Sequence, residues 1–174
     1  MPTRARRTPA PPNSPPQPTG AETHHSSRDQ RFVQISAGAQ SLVAKLINTP
    51  TADWIWRALP VFSTVEMWGR GAIHFETHIE TGREANARWI IAPGAIGYWV
   101  EQDRVVIGFD ETPLSRPGEI RLPARCNIWA RAVGEVTPLV SVRPGERVVM
   151  QALDVARQAA CDNESDRARD TDRA

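Results

Sequence analysis

The feature that most limits the fold of this chain is a series of short apolar runs separated by turn signals. The first two, at 32–35 and 42–46, flank a polar segment in which Gly38 is placed to turn, which predicts a β-hairpin. Seven more runs follow, at 61–68, 72–75, 89–91, 96–100, 105–109, 126–133 and 147–153. Short strands at regular spacing are typical of a β-sandwich or barrel, so the sequence predicts a mainly β fold.

One segment, TPTADWIWRALP, instead predicts a short α-helix. Thr49 or Thr51 can cap its first turn, where Pro50 needs no N–H partner and Asp53 favours the helix dipole. Pro60 ends the helix. Its apolar residues recur at helical spacing, which gives it one face to pack: Ala52, Ile55, Trp56 and Leu59.

The two ends of the chain have a different composition from its middle. Residues 1–30 are rich in Pro and Arg, and residues 156–174 alternate Arg with acids without an apolar period. Such segments bury too little surface to offset the entropy of ordering, so we expect disordered tails around a folded domain at 32–153. That domain has twelve basic and twelve acidic residues, which predicts no nucleic-acid partner.

The cellular location follows from what the chain does not carry. No apolar run approaches the ~20 residues of a membrane span, and no apolar region follows Arg4, Arg6 and Arg7 as in a secretory signal. The two cysteines, Cys126 in the domain and Cys161 in the tail, fit a reducing compartment. We therefore expect a cytoplasmic protein that does not bind membranes.

Two connections late in the domain also carry signals. Residues 110–124 contain three prolines and a glycine, which predicts a long functional loop or lid before a strand that begins at Cys126. Residues 137–142 predict a short helical turn. Cys126 is expected in the core, and Trp54, Trp56, Trp89 and Trp99 are expected to pack mostly in the core or at the ends of the barrel.

Four blocks in order resemble the small prokaryotic family called cyclophilin-like: TPTADWIWRALP, EMWGRGAIHF, PGAIGYWVEQDRVVIGFDETPLS and CNIWARAVGEVTPLVSVRPGERVVMQ. The matching positions are Thr51-Ala52, Leu59-Pro60, Trp68-Gly69 with Phe75, Gly94 with Tyr98-Trp99, Thr112-Pro113 with Ser115, and Asn127. The resemblance implies a closed barrel of about eight strands with one helix, related to the barrel of true cyclophilins. The chain departs from the family pattern after Gly69, where Arg70-Gly71-Ala72 replaces an acidic pair and His74 follows.

True cyclophilins are prolyl cis/trans isomerases, so the resemblance implies prolyl isomerisation as one possible function of this chain. They use an arginine beside aromatic and methionine walls, and Arg70 is the basic residue in the matching stretch. Aromatic residues and Met67 could form the walls. The wall of phenylalanine, glutamine and histidine found in true cyclophilins is absent, and Arg70 can equally be a solvent-facing residue of a bend.

The main prediction is a pocket on the side of the barrel that binds a small organic ligand or short peptide, with no cofactor. Its candidate residues, aromatic or polar and near predicted strand ends, are Trp68, His74, Trp99, Phe109, Glu111, Thr112, Asn127 and Trp129. His74 and His78 lie about 13 Å apart if their segment is extended, so we expect no metal site. A third possibility is a non-catalytic protein-interaction module, which a filled barrel with a flat apolar surface would favour.

Overall fold

A computed structural model describes residues 30–153. The predicted tails, 1–30 and 156–174, lie outside these residues apart from residue 30. The strands are β1 Phe32–Ala37, β2 Gln40–Leu46, β3 Val61–Thr64, β4 Glu66–Trp68, β5 Ala72–Glu76, β6 Arg88–Ile91, β7 Ala95–Trp99, β8 Arg104–Gly108, β9 Ile120–Ala132 and β10 Arg147–Leu153. The helix α1 spans Pro50–Ala58, and 3-10 turns span Val100–Gln102 and Thr137–Ser141.

The strands form one antiparallel wall that returns to its starting point. Its order is β3-β10-β1-β2-β9-β7-β8-β5-β4. Only Val65 separates β3 from β4 in the chain, so these two segments act as one bent strand that joins the ends of the wall. Counted this way the wall has eight members, which confirms the predicted barrel of about eight strands.

A two-stranded ribbon covers part of the outer surface of this wall. It consists of β6 and the first half of β9, which pair through Ile91–Ile120 and Arg88–Cys126. Two glycines allow it to approach closely, because a Cβ on Gly108 would lie 2.4 Å from Ile120 and one on Gly97 would lie 2.9 Å from Leu122. The ribbon and the wall thus bury a second, smaller apolar cluster.

The inside of the barrel is filled by apolar side chains. Alternate residues of β1 and β2 point inward, as in Val33, Ile35 and Leu42, and are at most 4% exposed. The helix packs Ala52 and Ile55 onto this core. The helix follows the end of β2, and near the start of β2 the turn Thr137–Ser141 contributes Leu139 to the same core. The barrel interior is therefore a packed core.

The predicted helix is confirmed, and Thr49 is its cap. The Thr49 side chain accepts a hydrogen bond from the Ala52 N–H at 3.2 Å, and Pro50 occupies the first turn. Thr51, the other candidate cap, is buried and bonds to Glu84 instead. The chain leaves the helix through a cis Leu59–Pro60 peptide bond.

The predicted start of the late strand at Cys126 is wrong, because β9 already begins at Ile120. Pro123 suggests a loop, since proline cannot donate to a strand ladder. In the structure, however, the β6–β9 register shifts between the pairs that flank Pro123, so no ladder bond is required there. The connection is consequently shorter than predicted and ends at Glu119.

Two tryptophans also differ from expectation. Trp54 is 50% exposed on α1, where the Arg57 guanidinium lies 5.3 Å from its ring, and Trp89 is 44% exposed on β6. Trp54 lies on the helix surface away from the Ala52–Ile55 face, so helical spacing excludes it from the core.

Candidate functional site

Five side chains meet on the outer surface of the barrel and form what we call the outer-wall cluster: Glu66, Trp68, His74, Trp99 and Arg104. They come from four strands, β4, β5, β7 and β8. Strand pairing places Glu66 opposite His74 and Trp99 opposite Arg104. Because alternate residues of a strand face opposite sides, Ile73 and Phe75, which flank His74 on β5, point into the barrel.

The aromatic part of the cluster consists of two indoles and one imidazole. The Trp99 ring centroid lies 6.3 Å from that of Trp68 and 6.3 Å from that of His74, both in edge-to-face arrangement. Such contacts are each worth about 0.5–1.5 kcal/mol and hold the rings in defined orientations. His74 is buried, whereas both tryptophans are partly exposed and offer apolar surface to a ligand.

An ion pair borders these rings. Arg104 Nη1 lies 2.6 Å from Glu66 Oε1 and 3.1 Å from His74 Nδ1, and the arginine side chain is 17% exposed. An arginine only donates, so His74 accepts at Nδ1 and carries its proton on Nε2. Both contacts use Nη1, so the guanidinium retains further N–H donors for a ligand.

Electrostatics support a neutral imidazole at this position. Burial lowers the pKa of His74, and the Arg104 charge lowers this pKa further against a smaller opposing effect of Glu66. The hydrogen bond from Arg104 lowers the pKa of Glu66. At neutral pH the cluster therefore contains one cation, one anion and one neutral imidazole.

Trp68 contributes an unusual donor. Its Nε1–H is buried, and no acceptor within residues 30–153 meets it. A buried donor without a partner costs about 1–3 kcal/mol, and such groups are rare enough to require an explanation.

Asn127, predicted as a ligand contact, is fully buried and bonded to the protein itself. Its Nδ2 donates to Thr51 Oγ1 at 2.9 Å and to the Gly82 carbonyl at 2.8 Å, and its Oδ1 accepts from the Glu84 N–H at 2.9 Å. Glu84 in turn accepts from the Thr51 N–H at 2.6 Å at the start of α1. This set, the Asn127 clamp, ties β9, the helix and the loop at 77–87 together, which favours a structural role.

Two other predicted residues lie on the inner side of the wall. Trp129 is fully buried among the interior side chains and donates from Nε1 to the Gly97 carbonyl at 3.3 Å. Phe109 is partly buried against the same interior core. Neither shares a surface with the outer-wall cluster, so we leave both out of the candidate site.

The remaining predicted residues lie in two adjoining loops. Arg70 is exposed in the turn between β4 and β5, and no ion pair within the described residues involves it. Thr112 is buried and donates to the Arg121 carbonyl at 2.6 Å, while Glu111 is exposed and accepts from the Gly118 N–H at 2.8 Å. These contacts organise the loop at 110–119. The flanking Gly71 permits its close approach, since a Cβ there would lie 2.1 Å from the Glu111 carbonyl oxygen.

Covalent or metal chemistry finds little support in the described part of the chain. Burial raises the pKa of the Cys126 thiol to about 12, which keeps it protonated and unreactive. Across residues 30–153 no three His, Cys, Asp or Glu side chains lie close enough to hold a metal ion. His78 is exposed and faces Glu76 at 3.3 Å.

Sequence reasoning missed two members of the cluster, Glu66 and Arg104. Glu66 lies two residues before Trp68 on a strand, so alternation places both on one face. Arg104 opens β8 and reaches the cluster only because β8 pairs with both β5 and β7. The first signal is visible in the sequence, but the second requires knowledge of the pairing.

An eight-membered antiparallel barrel closed by a bent strand, with one capping helix, defines a cyclophilin-like class of protein. A family model described as "Cyclophilin-like" matches residues 31–151, most of the chain, so the chain belongs to the cyclophilin-like family. Its fold is similar to the solution structure of a hypothetical protein from Archaeoglobus fulgidus, with 28% sequence identity and a TM-score of 0.61. That match covers 70% of this chain and 94% of the archaeal one. No curated protein matches the chain.

Within residues 30–153 no helix has the length and apolar character needed to cross a membrane.

Proposed function

We propose that this protein binds a small organic ligand or a short peptide at the outer-wall cluster. The observation that carries the proposal is the edge-to-face grouping of Trp68, His74 and Trp99 beside Arg104. Indole surface and a partly buried guanidinium are the groups that most often dominate binding energy at recognition sites.

The chemistry of the cluster suits a ligand with an apolar ring next to a hydrogen-bond acceptor. The ring would pack on the exposed surface of Trp68 and Trp99, and a carbonyl or carboxylate would accept from the spare N–H groups of Arg104. A proline with its preceding carbonyl meets this description, and so does an aromatic acid. The Nε1–H of Trp68, which has no acceptor within residues 30–153, supplies a second donor if the ring turns on binding.

The packed interior also supports an outer site. Trp129, Tyr98 and Phe75 are each 0% exposed inside the barrel, so they occupy the space that other barrels use for a ligand. Binding at the outer wall requires no repacking of this core.

Calorimetric titration tests the proposal, with Xaa-Pro peptides in one arm and aromatic carboxylates in the other. We expect saturable binding in at least one arm, weakened about tenfold or more by Trp99→Ala and by Arg104→Gln. Trp54→Ala is the matched control, because Trp54 is also a partly exposed indole beside an arginine but lies on α1. Equal weakening by the control, or binding in neither arm, would reject the site.

A second candidate is prolyl isomerisation, and the position of Arg104 favours it. The barrier to rotation is ~18–20 kcal/mol and comes from partial double-bond character, which a donor to the proline nitrogen reduces. Arg70, the donor suggested by the sequence, is exposed in a turn, whereas Arg104 contacts His74 and lies opposite Trp99. A protease-coupled assay should therefore show activity that Arg104→Gln removes and Arg70→Ala retains. The opposite pattern would restore Arg70 as the donor.

An interaction module is a further alternative, supported by exposed apolar side chains on the strands and turns. Phe62 on β3 is 70% exposed, and Val140 is 59% exposed. If neither ligands nor isomerisation are found, Phe62→Ser is the variant with which to probe partner binding. We also propose a cytoplasmic location, which the free, buried thiol of Cys126 supports.

A further inference from the structure

A notch opens along one edge of β9. On this edge β9 pairs first with β6, as far as Cys126, and later with β2, from Ala130 onward. Within residues 30–153, the three residues 127–129 between them have no strand partner on this side. Ile47, which follows β2, and Ile90 on β6 line one cavity beside Ile128, so a gap remains between the two strands.

The backbone in the gap is satisfied by specific bonds. The Ile47 N–H donates to the Trp129 carbonyl at 3.0 Å, and the Asn86 side chain donates to the Ile128 carbonyl at 2.8 Å. The notch is thus a fixed part of the fold and does not depend on fraying of β9.

A cavity of 270 Å³ occupies the notch. The apolar part of its walls includes Ile47, Ile90, Ile91 and Ile128, and polar side chains form the rest. This volume lies just below the range of pockets that hold drug-sized ligands, so it suits a smaller molecule with an apolar body.

The charged side chains that line the cavity are both arginines, Arg88 and Arg131. Neither forms an ion pair with any residue between 30 and 153. Lys45 pairs with Arg131 across the strands and adds a third positive charge. Glu84, the acid nearest to Arg88 along the chain, bonds with Thr51 instead.

We propose that this notch is a binding site for a small amphipathic carboxylate, separate from the outer-wall cluster. The apolar body packs on the isoleucines, and the carboxylate pairs with Arg88 and Arg131. Ala95, at the start of β7, lines the notch, whereas Trp99, at its end, belongs to the outer-wall cluster. The two sites therefore lie roughly 13 Å apart along one strand.

NMR of protein labelled at the isoleucine methyls and at the tryptophan indole N–H tests this site, with hexanoate as the probe and hexylamine as the control of charge. We expect hexanoate to shift the methyl signals of Ile47, Ile91 and Ile128 saturably and to leave the interior Ile73 in place. Hexylamine should not bind, and added salt should weaken hexanoate binding.

Arginine variants test whether Arg88 and Arg131 are responsible for hexanoate binding. Arg88→Gln and Arg131→Gln should each weaken hexanoate binding about fivefold, and the double variant more than tenfold. Arg143→Gln, an exposed arginine outside the notch, is the matched control and should change nothing. Equal binding of hexylamine, unchanged affinity in the double variant, or shifts at the Trp99 indole instead would overturn the proposal. None of these outcomes bears on the outer-wall cluster unless the Trp99 signal moves.

Discussion

The wall of this barrel carries two tryptophans whose surroundings are opposite. Trp129 faces inward, is 0% exposed, and donates its N–H to Gly97. Trp68 faces outward and is partly exposed, yet its N–H is buried and meets no acceptor among the described residues. The inner indole is fully used for stability, whereas the outer one, which packs against Trp99, keeps a donor that has no partner within residues 30–153.

The polar groups show the same difference. The Asn127 clamp satisfies both ends of its central amide with protein partners. Among the described residues, the outer-wall cluster instead uses only Nη1 of its arginine and leaves the Trp68 donor without a partner. A fully partnered network rigidifies a fold, while unpaired groups at a partly exposed surface are available to a ligand.

The largest expected loss of stability comes from removing the inner indole, that of Trp129. Trp129→Ala should lower the free energy of unfolding by about 3–5 kcal/mol, because it leaves a large cavity in a packed core. Trp99→Ala should cost about 1–2 kcal/mol, since the ring is partly exposed. Urea unfolding of both variants measures the difference, and equal losses would remove the distinction between the two faces.

The second largest loss of stability should come from breaking the Asn127 clamp. Asn127→Ala removes three hydrogen bonds, including a buried one to Thr51, so we expect a loss of about 2–4 kcal/mol. The exposed Asn48→Ala is the matched control and should change stability by less than about 0.5 kcal/mol. A loss in Asn127→Ala as small as in the control would show that the network contributes nothing.

A matched pair of conservative changes sharpens the comparison. Trp129→Phe should cost about 1–2 kcal/mol, because it removes the hydrogen bond to the Gly97 carbonyl and leaves a small cavity. Trp68→Phe should stay within about 0.5 kcal/mol of the wild type, because removing an unpaired donor offsets the lost contact area. Thermal unfolding at one pH measures both, and a larger loss in Trp68→Phe would mean that its N–H is well partnered.

The smallest effect is the pH dependence from His74, which faces Glu66 from β4 and Arg104 from β8. Its folded pKa lies below the ordinary value of 6.5, so the unfolded chain takes up the proton first. The stability that comes from keeping His74 neutral is fully present above pH 6.5 and is lost as the pH falls toward and through the folded pKa. Glu66, whose pKa is also lowered, adds a loss below its ordinary 4.5.

His74→Gln isolates the histidine part of this profile. The variant should remove the loss of stability just below pH 6.5 and keep the loss at more acidic pH that comes from Glu66. Urea unfolding across the pH range measures both phases. An unchanged profile in the variant would show that His74 does not titrate as its surroundings imply.

Much of the fold could be predicted because local chemistry determines it. Gly38 turns the first hairpin with a φ of +56°, Thr49 caps the helix, and β10 spans 147–153 as expected. The start of β9 was not predictable in this way, since Pro123 is tolerated only because the pairing with β6 is irregular there.

The candidate site was harder to predict, because it depends on which face each residue occupies. Trp68, His74 and Trp99 were named from the sequence and do come together. Trp129 and Asn127 were named with them but belong to the inner side of the wall. Arg104 was missed because strand pairing, which single-sequence patterns do not contain, brings it to the cluster.

The central claim is that ligands bind on the outer wall of the barrel. The most direct test is a set of indole ¹H–¹⁵N NMR spectra, recorded while a peptide or aromatic acid that binds the protein is added stepwise. If the outer wall is the binding site, the Trp68 and Trp99 indole signals shift saturably, and the Trp129 and Trp54 signals stay in place. If the Trp129 signal moves while those of Trp68 and Trp99 do not, the ligand binds inside the barrel and the account is wrong.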